Sequence, residues 1–187
     1  MPTALTITLT ATPARADIWP APGIVPDRGT HTYCWAPDYP PNGTVQGESI
    51  ASMTNFQSQT GVGVAMHSPC QTGTDVRIGQ EFLGIQAWGS TQCAVTNPST
   101  GFCDRWRVRI NFSELRNYGG VTEYAARKTV CHEIGHTAGM AHYGNGDPYY
   151  ASPDSYDSCM ISGYQGGGQA WTRTYGAHHI AHVQSWW

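Results

Sequence analysis

A chain of 187 residues suffices for one domain with a sizeable core, and only 12% of its residues are charged. The net charge of −3 supplies no basic footprint for nucleic acid, and no lysine or arginine run suits an anionic membrane surface. No apolar run approaches the ~20 residues of a membrane-spanning helix, and the abundance of Gly, Pro, Trp and Tyr marks a loop-rich globular chain rather than a disordered or coiled one.

At the N-terminus, residues 5–9 are weakly apolar and Ala14-Arg15-Ala16 resembles a small-residue cleavage site. A positively charged start is missing and threonine dilutes the apolar run. The segment reads as the tail of a truncated signal peptide, or equally as a strand or loose arm. Pro13, Pro20, Pro22 and Pro26 impose an extended arm. Residues 1–28 are therefore expected to be an N-terminal arm or residual signal or pro segment, and residues 29–187 the folded domain.

Residues 31–36 alternate and predict a first strand. Residues 37–43, rich in proline with Asn42-Gly43, predict a turn. Val45, Ser49, Ser52, Met53 and Phe56 recur at helical spacing, which predicts a helix over 44–60 ended by Gly61. Strands are expected at 62–67, 75–78 and 83–88. The strictest alternation lies at 105–112, with Trp106, Val108, Ile110 and Phe112 on one face and Arg105, Arg107 and Arg109 on the other, a solvated edge. Thr122 is the expected N-cap of a helix over 123–138. A final helix is expected over 175–185 with Ile180 and Val183 inward, and Gly166-Gly167-Gly168 reads as a flexible surface turn.

Cys34, Cys70, Cys93, Cys103, Cys131 and Cys159 contain no C-x-x-C pair, so a zinc knuckle or thioredoxin motif is not indicated. An even count among polar loops reads as three disulfides in an exported protein, with buried free thiols as the alternative; six cysteines allow fifteen pairings.

The informative stretch is His132-Glu133-Ile134-Gly135-His136-Thr137-Ala138-Gly139-Met140-Ala141-His142. On a helix, positions i and i+4 lie about 40° apart around the axis and about 6 Å apart along it, so His132 and His136 face one way and can share a metal ion. Glu133 flanks that ion without being forced to ligate it, which suits a general base acting on a metal-bound water. Gly139 can take positive φ and stop the helix, letting the chain return His142 as a third ligand. Three neutral imidazoles leave a tetrahedral zinc one open position, the arrangement of a catalytic site. A short H-E-x-x-H arises by chance on solvated helix faces. The longer motif fixes five positions, which leaves an inactive relic as its main rival.

The whole motif resembles the zinc-binding signature of the metzincin peptidases, and Ser158-Cys159-Met160-Ile161-Ser162 resembles their methionine turn. The element order resembles a matrixin-like catalytic domain from about residue 30 to 187. The resemblance implies an α+β, zincin-type fold: a twisted mixed five-stranded sheet with an active-site helix, a second packing helix and a C-terminal helix. It implies Met160 as an apolar floor beneath the zinc. It also implies an edge strand of Leu83, Gly84, Ile85, Gln86, Ala87 and Trp88 that pairs with an extended peptide. A methionine turn under the zinc helix would bring Cys131 to Cys159. Cys93 and Cys103 bracket a short turn and are paired too, which leaves Cys34 with Cys70.

Other residues invite a role. Some metzincins carry a tyrosine after the methionine that supports the zinc or the oxyanion. Its usual place holds Ser162 here, so Tyr164 is read as core or rim. His178 and His182, with His179 beside them, lack an intervening carboxylate and read as a solvated or capping helix face. Asp147, Asp154 and Asp157 offer oxygen to calcium, but their spacing matches no calcium loop. The expected function is a secreted, extracellular, monomeric zinc endopeptidase acting on peptide or protein substrates through a zinc-bound water, with Glu133 as general base. The alternatives are an inactive metzincin-like binding module and a zinc hydrolase of non-peptide bonds.

Overall fold

The structure, a computed structural model, describes residues 25–118, 121–142, 158–163 and 168–187. In chain order its elements are β1 (His31–Trp35), α1 (Gly43–Thr60), β2 (Val64–Met66), β3 (Val76–Gln80), β4 (Gly89–Thr96), β5 (Cys103–Ile110), α2 (Phe112–Asn117) and α3 (Thr122–Thr137). A 3-10 turn, Ala170–Arg173, and α4 (Ala177–Trp186) follow. The five strands form one mixed sheet in the order β2-β1-β3-β5-β4. All neighbours are parallel except β4, which runs antiparallel to β5. The fold is α+β.

The alternation of β5 is expressed as expected on its apolar side. Trp106, Val108 and Ile110 are fully buried and meet Val76 and Ile78 of β3, Val45 and Met53 of α1, and Ala126, Val130 and Ile134 of α3. The main core thus lies between the sheet and the two long helices. The opposite face of β5 is not a solvated edge, because β5 sits between β3 and β4. Arg107 donates to the Tyr39 hydroxyl at 3.0 Å, and Arg109 reaches Glu81, Ser90 and Gln92.

Helix α1 forms where the periodicity places it. The Asn42 side chain accepts from Val45 N–H at 3.0 Å and caps its start. Gly61, at φ 78°, returns its N–H to the Gln57 carbonyl and closes its end. Glu48, buried on α1, binds Arg173 at 2.8 Å and lies 3.7 Å from Arg127 of α3, so the helices and the 3-10 turn share one buried carboxylate.

Several expectations shift. Residues 83–88 are not a strand. Gly84 (φ 96°) and Gln86 (φ 61°) take left-handed conformations that break extension. The Asn111 amide donates to the carbonyls of Gly84 and Ala87 at 2.8 and 2.7 Å, which folds the segment into a loop. The edge strand follows at β4. Phe112 does not extend β5: Asn111 caps α2, accepting from Glu114 N–H, and turns the chain. Thr122 is the first residue of α3 rather than its cap; Val121 holds the cap position without a side-chain bond. Helix α4 starts two residues later than expected. Val183 is inward and fully buried, and Ile180 packs partly against the same cluster. His178 and His179 are buried too, so that face is not solvated.

The folded body also takes in residues just before Gly29. Pro26 bridges Cys103 in parallel, the Cys103 N–H donates to the Val25 carbonyl, and the Trp186 indole N–H donates to the Pro26 carbonyl. Disulfides join Cys34 to Cys70, Cys93 to Cys103 and Cys131 to Cys159. No described helix is long and apolar enough to cross a membrane.

Candidate metal centre

Helix α3 is buried over its last ten residues, from Lys128 to Thr137, which is unusual for a run so rich in polar side chains. His132 and His136 stand one turn apart, and Gly139, at φ 83°, ends the helix and sends the chain back. His142 then meets both: its Nε2 lies 2.8 Å from His132 Nε2 and 2.9 Å from His136 Nε2.

The other nitrogen of each helical ring decides what those three atoms are. His132 Nδ1 faces the Cys159 carbonyl at 2.8 Å, and His136 Nδ1 faces the Met140 carbonyl at 2.8 Å. A carbonyl only accepts, so both Nδ1 atoms carry the proton and both Nε2 atoms present lone pairs. Protonating the rings is opposed as well. Burial holds His132 well below the usual histidine range, aided by the charges of Lys128 and the other two rings. Burial and His142 bring His136 down to about 3, and burial with Lys128 lowers His142. Two lone pairs and a third imidazole nitrogen thus converge where protons are disfavoured. A divalent cation that accepts nitrogen resolves this arrangement, and three neutral imidazoles with room for a fourth ligand fit zinc. Among the described residues, these three form the group whose ligand atoms lie within 4.8 Å of one another.

Glu133 is buried beside them. Thr91 of β4 holds it: the hydroxyl lies 2.7 Å from Oε2 and 2.9 Å from the Glu133 carbonyl. Burial pushes the carboxyl up to about 7, while Thr91, Lys128 and Arg109 pull the other way. A carboxylate poised near neutrality is suited to taking and returning a proton. Gly89, at the start of β4, makes room for it. A Cβ there would lie 2.7 Å from Glu133 Cγ and 2.8 Å from Cδ, and closer still to Oε1.

Met160 lies fully buried below α3. Gly135 permits the approach, since a Cβ there would clash with Met160 Sδ and would stand 2.9 Å from Tyr175 Cε1. Tyr175 donates to the Cys131 carbonyl at 3.0 Å. The Cys131–Cys159 bridge ties the helix to the same segment whose Cys159 carbonyl orients His132. The disulfide, the buried methionine and the carbonyl that faces His132 are therefore one local construction.

No protein-family model matches this chain, and no curated protein matches it in sequence. Solved structures do. The structure of myroilysin is similar at 14% identity with a TM-score of 0.48, covering 90% of this chain and 81% of that one. High choriolytic enzyme 1, a hatching enzyme zinc-protease from Oryzias latipes (medaka fish), is similar at 14% identity with a TM-score of 0.44, covering 89% of this chain and 92% of that one.

The expected site residues divide as follows. His132, Glu133, His136, His142 and Met160 come together. Of residues 83–88, Gln86, Ala87 and Trp88 line the cleft over the metal centre, in a loop. Leu83 borders a neighbouring groove and Ile85 is 82% exposed. Tyr164, Asp147, Asp154 and Asp157 lie outside the described residues. His178, His179 and His182 stand apart from the ligand group. Gly89, Thr91, Lys128 and Tyr175 were not singled out by sequence. Gly89 and Thr91 sit on an unforeseen strand. Lys128 carried a readable signal, since it precedes His132 by four residues and so shares its helix face.

Proposed function

We propose that this chain is the catalytic domain of a secreted, metzincin-like zinc endopeptidase, with a catalytic unit that reaches back from Gly29 to take in Val25 and Pro26. The observation that carries the reading is the convergence of the His132, His136 and His142 nitrogens beside a buried, threonine-held glutamate at the floor of an open cleft.

Zinc bound by these three histidines would supply a Lewis acid that polarises a carbonyl and acidifies a water. Everything else falls to the chain. Glu133 accepts the proton of the attacking water and delivers it to the leaving amine. Thr91 fixes the carboxylate while Gly89 leaves it space. The Cys159 and Met140 carbonyls hold two imidazoles in the ligating tautomer, and Met160 keeps the floor apolar. Among the described residues strand β4 ends the sheet, which leaves its outer edge for an extended peptide, with Gln86, Ala87 and Trp88 leading into the cleft. The edge position of β4 supports a peptide-pairing role for β4 and the loop before it, in place of a strand at 83–88.

Three disulfides suit an oxidising, extracellular location, and the site needs no second copy of the chain. The test is zinc stoichiometry and peptide hydrolysis before and after chelation. One zinc per chain, activity lost with the metal and regained on its return, supports the reading. Zinc-loaded protein that cuts no peptide in a broad library defeats it and favours a binding module.

A further inference from the structure

The cleft beside Glu133 encloses about 230 Å³, and one wall is unlike the rest. Lys128 lines it from α3, one turn before His132. Only 4% of Lys128 is exposed. Its ammonium has three protons to donate, and the contact it makes among the described residues is to the Gly163 carbonyl at 2.9 Å. Among the described residues no carboxylate stands within 4.0 Å of it. Among the described residues the acid in the cleft wall is Glu133, whose carboxyl faces Thr91 and is reserved for proton transfer in the mechanism above.

A buried ammonium with more donors than partners, as Lys128 has among the described residues, is costly unless an anion completes its shell. The imidazoles around it are neutral, so among the described side chains of the cleft Lys128 carries the positive charge, beside that of the zinc the three histidines would hold. Burial brings the ammonium down to about 8, against the opposing pull of Glu133. Ser162 and Gly163 form the facing wall and add no charge.

We propose that Lys128 makes this cleft selective for peptides with an aspartate or glutamate flanking the scissile bond, the ammonium binding the substrate carboxylate. The proposal rests on the reading of this cleft as the peptide-binding one. The competing role for Lys128 is purely structural: a pin that holds the Gly163 carbonyl to α3. That role predicts no dependence on the peptide's charge.

The experiment uses the zinc-loaded full chain and a randomised hexapeptide library read by mass spectrometry, then matched peptides differing only as Asp against Asn at the enriched position. A charge-assisted hydrogen bond corresponds to a preference of about 10- to 100-fold in kcat/KM. Lys128→Met should bring the Asp-to-Asn ratio to about one whatever happens to the absolute rate, and Lys128→Arg should keep the preference. Calorimetry on zinc-loaded Glu133→Gln with the same two peptides reads binding without turnover and should show the same order of preference. Cleavage without acidic enrichment overturns the proposal and leaves the protease reading standing. Acid-selective binding by a wild-type chain that cuts nothing does the reverse. An Asp-to-Asn ratio unchanged in Lys128→Met assigns the lysine to the pin and overturns the proposal.

Discussion

Gly89→Ala is the most discriminating single substitution. Its Cβ would sit 2.7 Å from Glu133 Cγ and 2.8 Å from Cδ. Carbon–carbon contacts are comfortable from about 3.5 Å, so the glutamate side chain or the strand start must retreat by about 0.8 Å. The side chain is the softer of the two, because the β4 backbone at Gly89 is registered against Ile110. Retreat of that size takes the carboxyl from the Thr91 hydroxyl and from its working position. A misplacement of about 1 Å can cost about 100-fold in rate. The fold should be indifferent: Gly89 is not among the positive-φ glycines, so alanine is accepted by the backbone and restricts the unfolded chain. The assay is kcat/KM on a fluorogenic peptide, with zinc content and thermal midpoint measured on the same sample. The expected result is about 100-fold lower kcat/KM with one zinc retained and a midpoint equal to or above wild type. Near-wild-type turnover would show that the Glu133 position seen here is not the working one. A large loss of midpoint would show that the backbone moves instead.

Replacing Cys131 and Cys159 together by alanine opens a 28-residue loop and should cost about 3–4 kcal/mol in the chain-entropy treatment, seen in denaturant unfolding. The same variant should release zinc to a chelator sooner than one lacking Cys93 and Cys103, because only the first bridge adjoins the carbonyl that orients His132; equal release rates would contradict that coupling. Asp27 gives a pH signature. Burial, with the Asp75 and Asp104 carboxylates, raises it to about 6. The folded state then holds a proton that the unfolded chain releases near 3.8, so stability falls as pH rises from about 4 through 6 and stays lower above. Asp27→Asn should raise the thermal midpoint at about pH 7.5 and converge with wild type near pH 4; a midpoint gain that is the same at both pH values would contradict the assignment.

What could be read from sequence follows the strength of the local signal. The five-position motif and the i, i+4 rule bring His132, His136 and His142 to one point, because a helix ended by a positive-φ glycine leaves little choice. Strand β5 and helix α1 were legible because each buries one clean face. Strand β4 was not. It is an edge strand whose side chains are mostly exposed or half-buried, so it carries no alternation. The apolar run just before it drew the assignment instead, and the left-handed turn at Gln86 that bends this run has no sequence mark. With β4 went Gly89 and Thr91, and so the support of Glu133. His178 and His179 misled for a related reason. Polar rings read as solvated, yet tertiary packing buries them. The spacing of Lys128 puts it on the His132 face of its helix, but its burial in the cleft wall follows from the packing of α3.

Glu133→Gln tests the role of this glutamate most directly, with bound zinc and peptide hydrolysis measured on one preparation alongside wild type. Glutamine keeps the size and the contact with Thr91 but cannot accept the proton. Both proteins should hold one zinc per chain, and the variant should lose activity by about 10²–10⁴-fold. A zinc-loaded variant that turns over peptide like wild type would contradict the role of Glu133, and with it the mechanism built on this site.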